Sequence, residues 1–64
     1  MKIGKRIREE RMNMGMKQYE LAKEANISNT YLSDIEVGRT MPSIKTLMSI
    51  SKVLKVDCSI FIDD

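Results

Sequence analysis

Sixty-four residues, 42% hydrophobic and 31% charged with a net charge of +2, are too apolar for general disorder and too few to enclose a large active site. One cysteine, Cys58, precludes an internal disulfide, and the lack of histidine means that the usual zinc ligand sets cannot be assembled within one chain. The opening "MKIGKRIREER" has no secretion-signal core and no later stretch approaches the roughly 20 apolar residues of a membrane span, so the expectation is a cytoplasmic single domain over 1–64 without metal or cofactor.

Punctuation divides the chain into five short helical segments. In the first, Ile3, Ile7 and Met14 recur on one face until "NMGM", where Gly15 can adopt the left-handed conformation that closes a helix. The second lies in "KQYELAKEAN": Leu21, Ala22 and Ala25 form a small apolar stripe, and Asn26 is the non-glycine residue best suited to a left-handed end. Ser28 caps a third segment that runs through Glu36 and is closed by Gly38. Pro42 blocks continuation, and Ser43 caps a fourth helix whose buried face is expected to hold Ile44, Leu47, Met48, Ser51 and Leu54. Asp57 caps a short fifth helix with Cys58, Phe61 and Ile62 at i, i+3 and i+4. Strand-type alternation is missing except for a weak suggestion in "VLKVDCSIFI", so the fold class is all-α. Met14, Met16 and Met48 are assigned to the core as flexible fillers.

The third segment carries an unusual face. Wound into a helix, "SNTYLSDIE" points Leu32 and Ile35 one way and Asn29, Thr30, Ser33 and Asp34 the other. These short polar side chains are not the Glu and Lys of a helix that needs only solvation. The preceding residues supply a tight corner: two helices joined by a three- or four-residue turn cross steeply only where a small residue lets their backbones approach, and Ala22 is that residue. Asn26 provides the left-handed turn and Ile27 an apolar plug. Charge is uneven as well, with seven Lys or Arg against four acids in residues 1–32 and four against five in residues 33–64. The imbalance hints at a polyanion partner.

Over almost its full length, "IGKRIREERMNMGMKQYELAKEANISNTYLSDIEVGRTMPSIKTLMSISKVLKVDCSIF" resembles the Cro and phage-repressor (Xre-type) helix-turn-helix DNA-binding domain. The matching features are the basic first helix, the glutamine opening helix two, the small residue in "ELA", the "YLSDIE" recognition helix, the "GRTMPS" loop and the closing "LKVD" turn. The resemblance implies a compact five-helix lambda-repressor-like domain acting as a transcriptional regulator, most simply a repressor, in contact with the nucleoid. Its second motif helix would enter the major groove of double-stranded DNA.

By position, Asn29, Thr30, Ser33 and Asp34 are then the expected base readers. Asn pairs bidentately with adenine, Ser and Thr serve either role, and Asp34 can only accept, as from a cytosine amino group. An equally available role for Asp34 is as local partner of a nearby Lys or Arg. Gln18, Tyr31, Arg39 and Thr40, with Lys17 and Lys45 at the margins, are expected on the phosphates. Gln18 opens helix two, whose free N–H groups attract a phosphate, although it can also be read as a mere helix-opening residue. Lys17 caps less well than Ser, Thr or Asn and is read as trading capping for phosphate attraction.

Arg11 falls on the stripe of Ile7 and Met14, where a lone cation is costly to bury. The resemblance places Glu36 opposite it, implying a largely buried structural pair whose disruption costs about 3 to 5 kcal/mol.

One recognition helix reads few base pairs, so a homodimer on a palindromic operator is expected, with Ile60, Val53 and Val37 as candidate interface residues. The rival reading is a protein-interaction module such as an antitoxin. An enzyme is not expected, because no nucleophile and base pair is visible.

Overall fold

The computed structural model describes residues 3–62; Lys2, Asp63 and Asp64, which enter the charge count, lie outside them. Five helices follow in chain order: α1 (Ile3–Asn13), α2 (Gln18–Glu24), α3 (Asn29–Val37), α4 (Ile44–Leu54) and α5 (Ser59–Ile62). Among the described residues there is no strand, and "VLKVDCSIFI" is divided between the end of α4, a turn and α5.

The helix boundaries have local causes. Ser28 Oγ accepts the Tyr31 N–H at 3.0 Å and Ser43 Oγ accepts the Thr46 N–H at 3.1 Å, each satisfying a free donor of the first turn. Gly38 ends α3 with φ +87°, a conformation in which a Cβ would be strained. Asn26 turns the chain between α2 and α3 at φ +61°. Lys55 does the same after α4 at φ +59°, without the help of a short polar side chain. Asp57 Oδ1 accepts the Ser59 N–H at 3.0 Å and so opens α5.

Helix α1 packs on α3, α4 and α5, while α2 packs on α3 and α4. The core they enclose is Ile3, Ile7, Leu21, Ala22, Ala25, Leu32, Ile35, Leu47, Ile50, Leu54 and Phe61. Buried Ser51 donates its hydroxyl hydrogen to the Leu47 carbonyl at 2.8 Å, so the hydroxyl costs little inside α4.

Several expected core positions are on the surface. Ile44 and Met48 are 67% and 60% exposed, and Ile50 takes the buried place on α4. At 3.6 residues per turn, Leu47, Ile50, Ser51 and Leu54 span an arc of about 100°, and Met48 lies about 60° outside it. Met14 is exposed because α1 ends at Asn13, one residue short of it; half-buried Met16 packs on the core instead. Ile62, at the end of the single turn of α5, is exposed, whereas Ile60 and Val53 lean against the core. Of the three residues expected at a dimer interface, only Val37 is fully on the surface.

Gly4 is a close-approach residue that the spacing of apolar residues could not reveal. A Cβ there would collide with the carbonyl oxygen of Ile35 and lie 2.9 Å from that of Glu36. The absent side chain lets α1 rest directly on the backbone of α3, and that contact fixes the angle at which α3 leaves the protein.

Candidate nucleic-acid interface

The turn between α2 and α3 is built from backbone hydrogen bonds, with the Ala25 N–H reaching the Leu21 carbonyl and the Ile27 N–H reaching the Ala22 carbonyl, both at 2.9 Å. Ala22, buried beneath this corner, admits the close crossing. Leu32 and Ile35 are fully enclosed and fasten α3 from behind. Asn29 and Thr30 stand exposed on the opposite side, while Ser33 and Asp34 are half-exposed along the same face. Tyr31 is half-buried and packs against the core. A helix held rigidly on one side thus presents two amide and hydroxyl groups, with a hydroxyl and a carboxylate one turn later.

Two polar clusters lie behind and beside this face. In the first, Arg11 grips Glu36 with two parallel hydrogen bonds, Nε to Oε2 at 2.8 Å and Nη2 to Oε1 at 3.0 Å. Their side chains are only 11% and 3% exposed. The third guanidinium nitrogen donates to the Met16 carbonyl at 2.8 Å, so the pair ties α1, the following turn and α3 together. Such two-pronged geometry is what makes burial of both charges tolerable. Gln18 extends the cluster: its Nε2 donates to Glu36 Oε1 at 3.2 Å, and its Oε1 accepts from Asn29 Nδ2 at 3.4 Å. An amide can do both at once because it carries a donor and an acceptor. Asn29 is therefore oriented by a chain of side chains that ends on a buried salt bridge. The sequence carries no periodic signal for this link, which joins residues 11 and 18 positions apart.

The second cluster is on the surface. Arg39 Nη1 lies 3.0 Å from Asp34 Oδ1, with the two side chains 73% and 35% exposed. The Asp34 carbonyl also accepts the N–H groups of Arg39 at 2.9 Å and Thr40 at 3.4 Å, since the left-handed Gly38 folds the chain back over the end of α3. Asp34 thus has the local cationic partner that was one of its two expected roles.

The other expected contact residues flank α3 at greater distance. Exposed Lys17 donates its backbone N–H to Glu20 Oε1 at 2.7 Å, and its ammonium sits 5.9 Å from the centre of the Tyr19 ring. Its side chain has no acceptor and cannot cap α2, so Glu20 alone satisfies that end. Lys45 is exposed in the first turn of α4. Thr30 and Ser33 side chains make no hydrogen bond within the protein among the described residues, which leaves both hydroxyls available. Among the described residues no group of three His, Cys, Asp or Glu could hold a metal ion, and no helix is long and apolar enough to cross a membrane.

Residues 7–61 match the family described as helix-turn-helix. A 10 kDa protein of the ImmF control region of Bacillus phage phi105 is 44% identical over 59 residues, covering 92% of this chain and 66% of its own length. The transcriptional regulator SinR of Bacillus subtilis is 40% identical over 63 residues, covering 97% of this chain and 57% of its own length. A crystal structure of SinR in complex with DNA superposes with a TM-score of 0.91 at 39% identity, covering 95% of this chain and 98% of that one. The chain spans less than two thirds of the length of these two curated relatives. With a family match over residues 7–61, a phage relative 44% identical across 92% of the chain, and a tight corner at Ala22 that sets the polar face of α3 outward, the chain belongs to the helix-turn-helix family of the Cro and phage-repressor type.

Proposed function

We propose that this protein is a transcriptional regulator that binds double-stranded DNA in a sequence-specific manner, with α3 in the major groove, and that it represses by occupying an operator. One observation carries the reading: Asn29, Thr30, Ser33 and Asp34 face outward from a helix that Leu32 and Ile35 bury on its other side. Short amide and hydroxyl groups in that position suit base edges. Gln18, Tyr31 and Thr40 would hydrogen-bond phosphates, while Lys17, Arg39 and Lys45 would neutralise them. That SinR, which shares this fold at 39% identity, has been solved in complex with DNA supports DNA binding by this chain.

The short reading surface of one α3 favours a homodimer on a two-fold symmetric operator. Val37, Met41, Ile44 and Met48 are the exposed apolar residues of α3, α4 and the loop between them and would contribute to self-association.

Selection of bound duplexes from a random library, followed by a salt series, tests the reading. Three neutralising cations per protomer predict a slope of log K against log salt near about −2.7 for one protomer and about −5 for a dimer. A two-fold symmetric consensus with such a slope is expected. Failure to retain any duplex in dilute buffer, or affinity indifferent to salt, would refute the reading.

A further inference from the structure

In residues 28–40, which hold α3 and the loop after it, Arg39 is the one cation and Asp34 and Glu36 are the two acids. Glu36 is already neutralised by Arg11 from α1. Asp34 and Arg39 neutralise each other at 3.0 Å. The whole reading element is therefore electrically silent in the free protein, and the cation best placed to meet a phosphate beside α3 is tethered to a carboxylate on the base-reading face. The tether is short in the chain and preset by the backbone, because the Asp34 carbonyl holds the Arg39 and Thr40 N–H groups.

We propose that the Asp34–Arg39 pair is a specificity latch, in which Arg39 becomes free for a phosphate only when Asp34 finds a hydrogen-bond donor on a base. This inference rests on the proposed placement of α3 in the major groove. A carboxylate can only accept, and the donor that a major groove offers at a single cytosine is its amino group. On a site with cytosine in reach, Asp34 exchanges the guanidinium for that amino group, and Arg39 swings to the backbone. On a site without it, the carboxylate facing a base acceptor has no partner but Arg39, so the latch stays closed and one phosphate contact per protomer is lost. Direct readout at one base is thereby coupled to the sequence-independent part of binding. The exposure of the pair, 73% and 35% for the two side chains, means that it opens easily. Exposed pairs of this kind shift an equilibrium by about two- to fivefold, enough to tune discrimination without blocking access.

The coupling predicts a difference in salt dependence between right and wrong sites. Affinity of the wild-type protein for the library-selected duplex should fall with salt more steeply than for a scrambled duplex, by about 0.9 in slope per protomer, the share of one phosphate. Asp34→Asn, of the same shape without the charge, should raise affinity for the scrambled duplex about two- to fivefold and steepen its slope to that of the selected site. In an Arg39→Gln background the same Asp34→Asn change should have no such effect. Thermal unfolding of each variant, followed by circular dichroism, checks that the fold is retained.

An unchanged slope and scrambled-site affinity in Asp34→Asn would overturn the latch while leaving DNA binding intact. An equal gain in the Arg39→Gln background would overturn it too, because simple repulsion between Asp34 and phosphate would then account for the gain. If the wild-type protein holds no duplex at any salt concentration, the DNA-binding reading fails and the latch fails with it.

Discussion

Replacing Glu36 by alanine removes the acceptor on which the polar cluster beneath α3 converges. Arg11 keeps only its hydrogen bond to the Met16 carbonyl and loses the two to the carboxylate, and Gln18 Nε2 loses its acceptor while Oε1 keeps Asn29. The guanidinium side chain is 11% exposed, so water cannot fully replace what is lost. A stranded buried charge of this kind costs about 3 to 5 kcal/mol. At about 0.05 to 0.15 kcal/mol per residue, a chain of this length has about 3 to 10 kcal/mol in total. Since each kcal/mol moves the midpoint of so small a domain by about 4 to 8 °C, Glu36→Ala should lower it by at least about 12 °C. Thermal unfolding followed by far-ultraviolet circular dichroism reads this directly. The double variant Arg11→Met with Glu36→Leu removes both charges together and should be more stable than either single variant. A loss below about 1 kcal/mol for Glu36→Ala would place the pair among ordinary surface salt bridges and refute the reasoning.

Other substitutions separate packing from recognition. Gly4→Ala drives a methyl group into the Ile35 carbonyl and should cost about 1 to 3 kcal/mol through displacement of α1; a neutral result in urea unfolding would mean that α1 sits farther from α3. On α4, Met48→Lys should stay within about 0.5 kcal/mol of the parent, whereas Ile50→Ala should cost about 2 to 5 kcal/mol, reversing the order expected from sequence spacing. Asn29→Ala should lose about 1 to 3 kcal/mol on the selected operator with less change on scrambled DNA, as competition binding would report. The Ser59 backbone N–H and hydroxyl hold the Asp57 carboxyl below its ordinary value of 3.8. A carboxyl lowered in this way stabilises the fold fully above that value and ceases to do so as the pH falls through its folded value. The stability difference between wild type and Asp57→Asn should therefore be constant near neutrality and close in strongly acid solution, as acid titration of the helical signal would show.

Where the causes act within a turn of chain, the amino-acid order was sufficient. Ser28, Ser43 and Asp57 cap the helices expected of them, Asn26 and Gly38 take their left-handed turns, and Leu32 with Ile35 set which side of α3 faces out. Each of these depends on groups no more than four residues apart, so the sequence itself supplies both partners. Burial at the edges of a stripe is another matter. Ile44, Met48, Met14 and Ile62 are as apolar as their buried neighbours, yet they are exposed because no helix reaches over them. The requirement for glycine at position 4 belongs to α3, whose carbonyls pass beneath it. Likewise, Arg11 reaches Glu36, and Gln18 joins Glu36 to Asn29, only after separate helices have been brought face to face. Contacts of that range depend on how three helices cross, and a crossing is a property of surfaces that meet only in the folded chain.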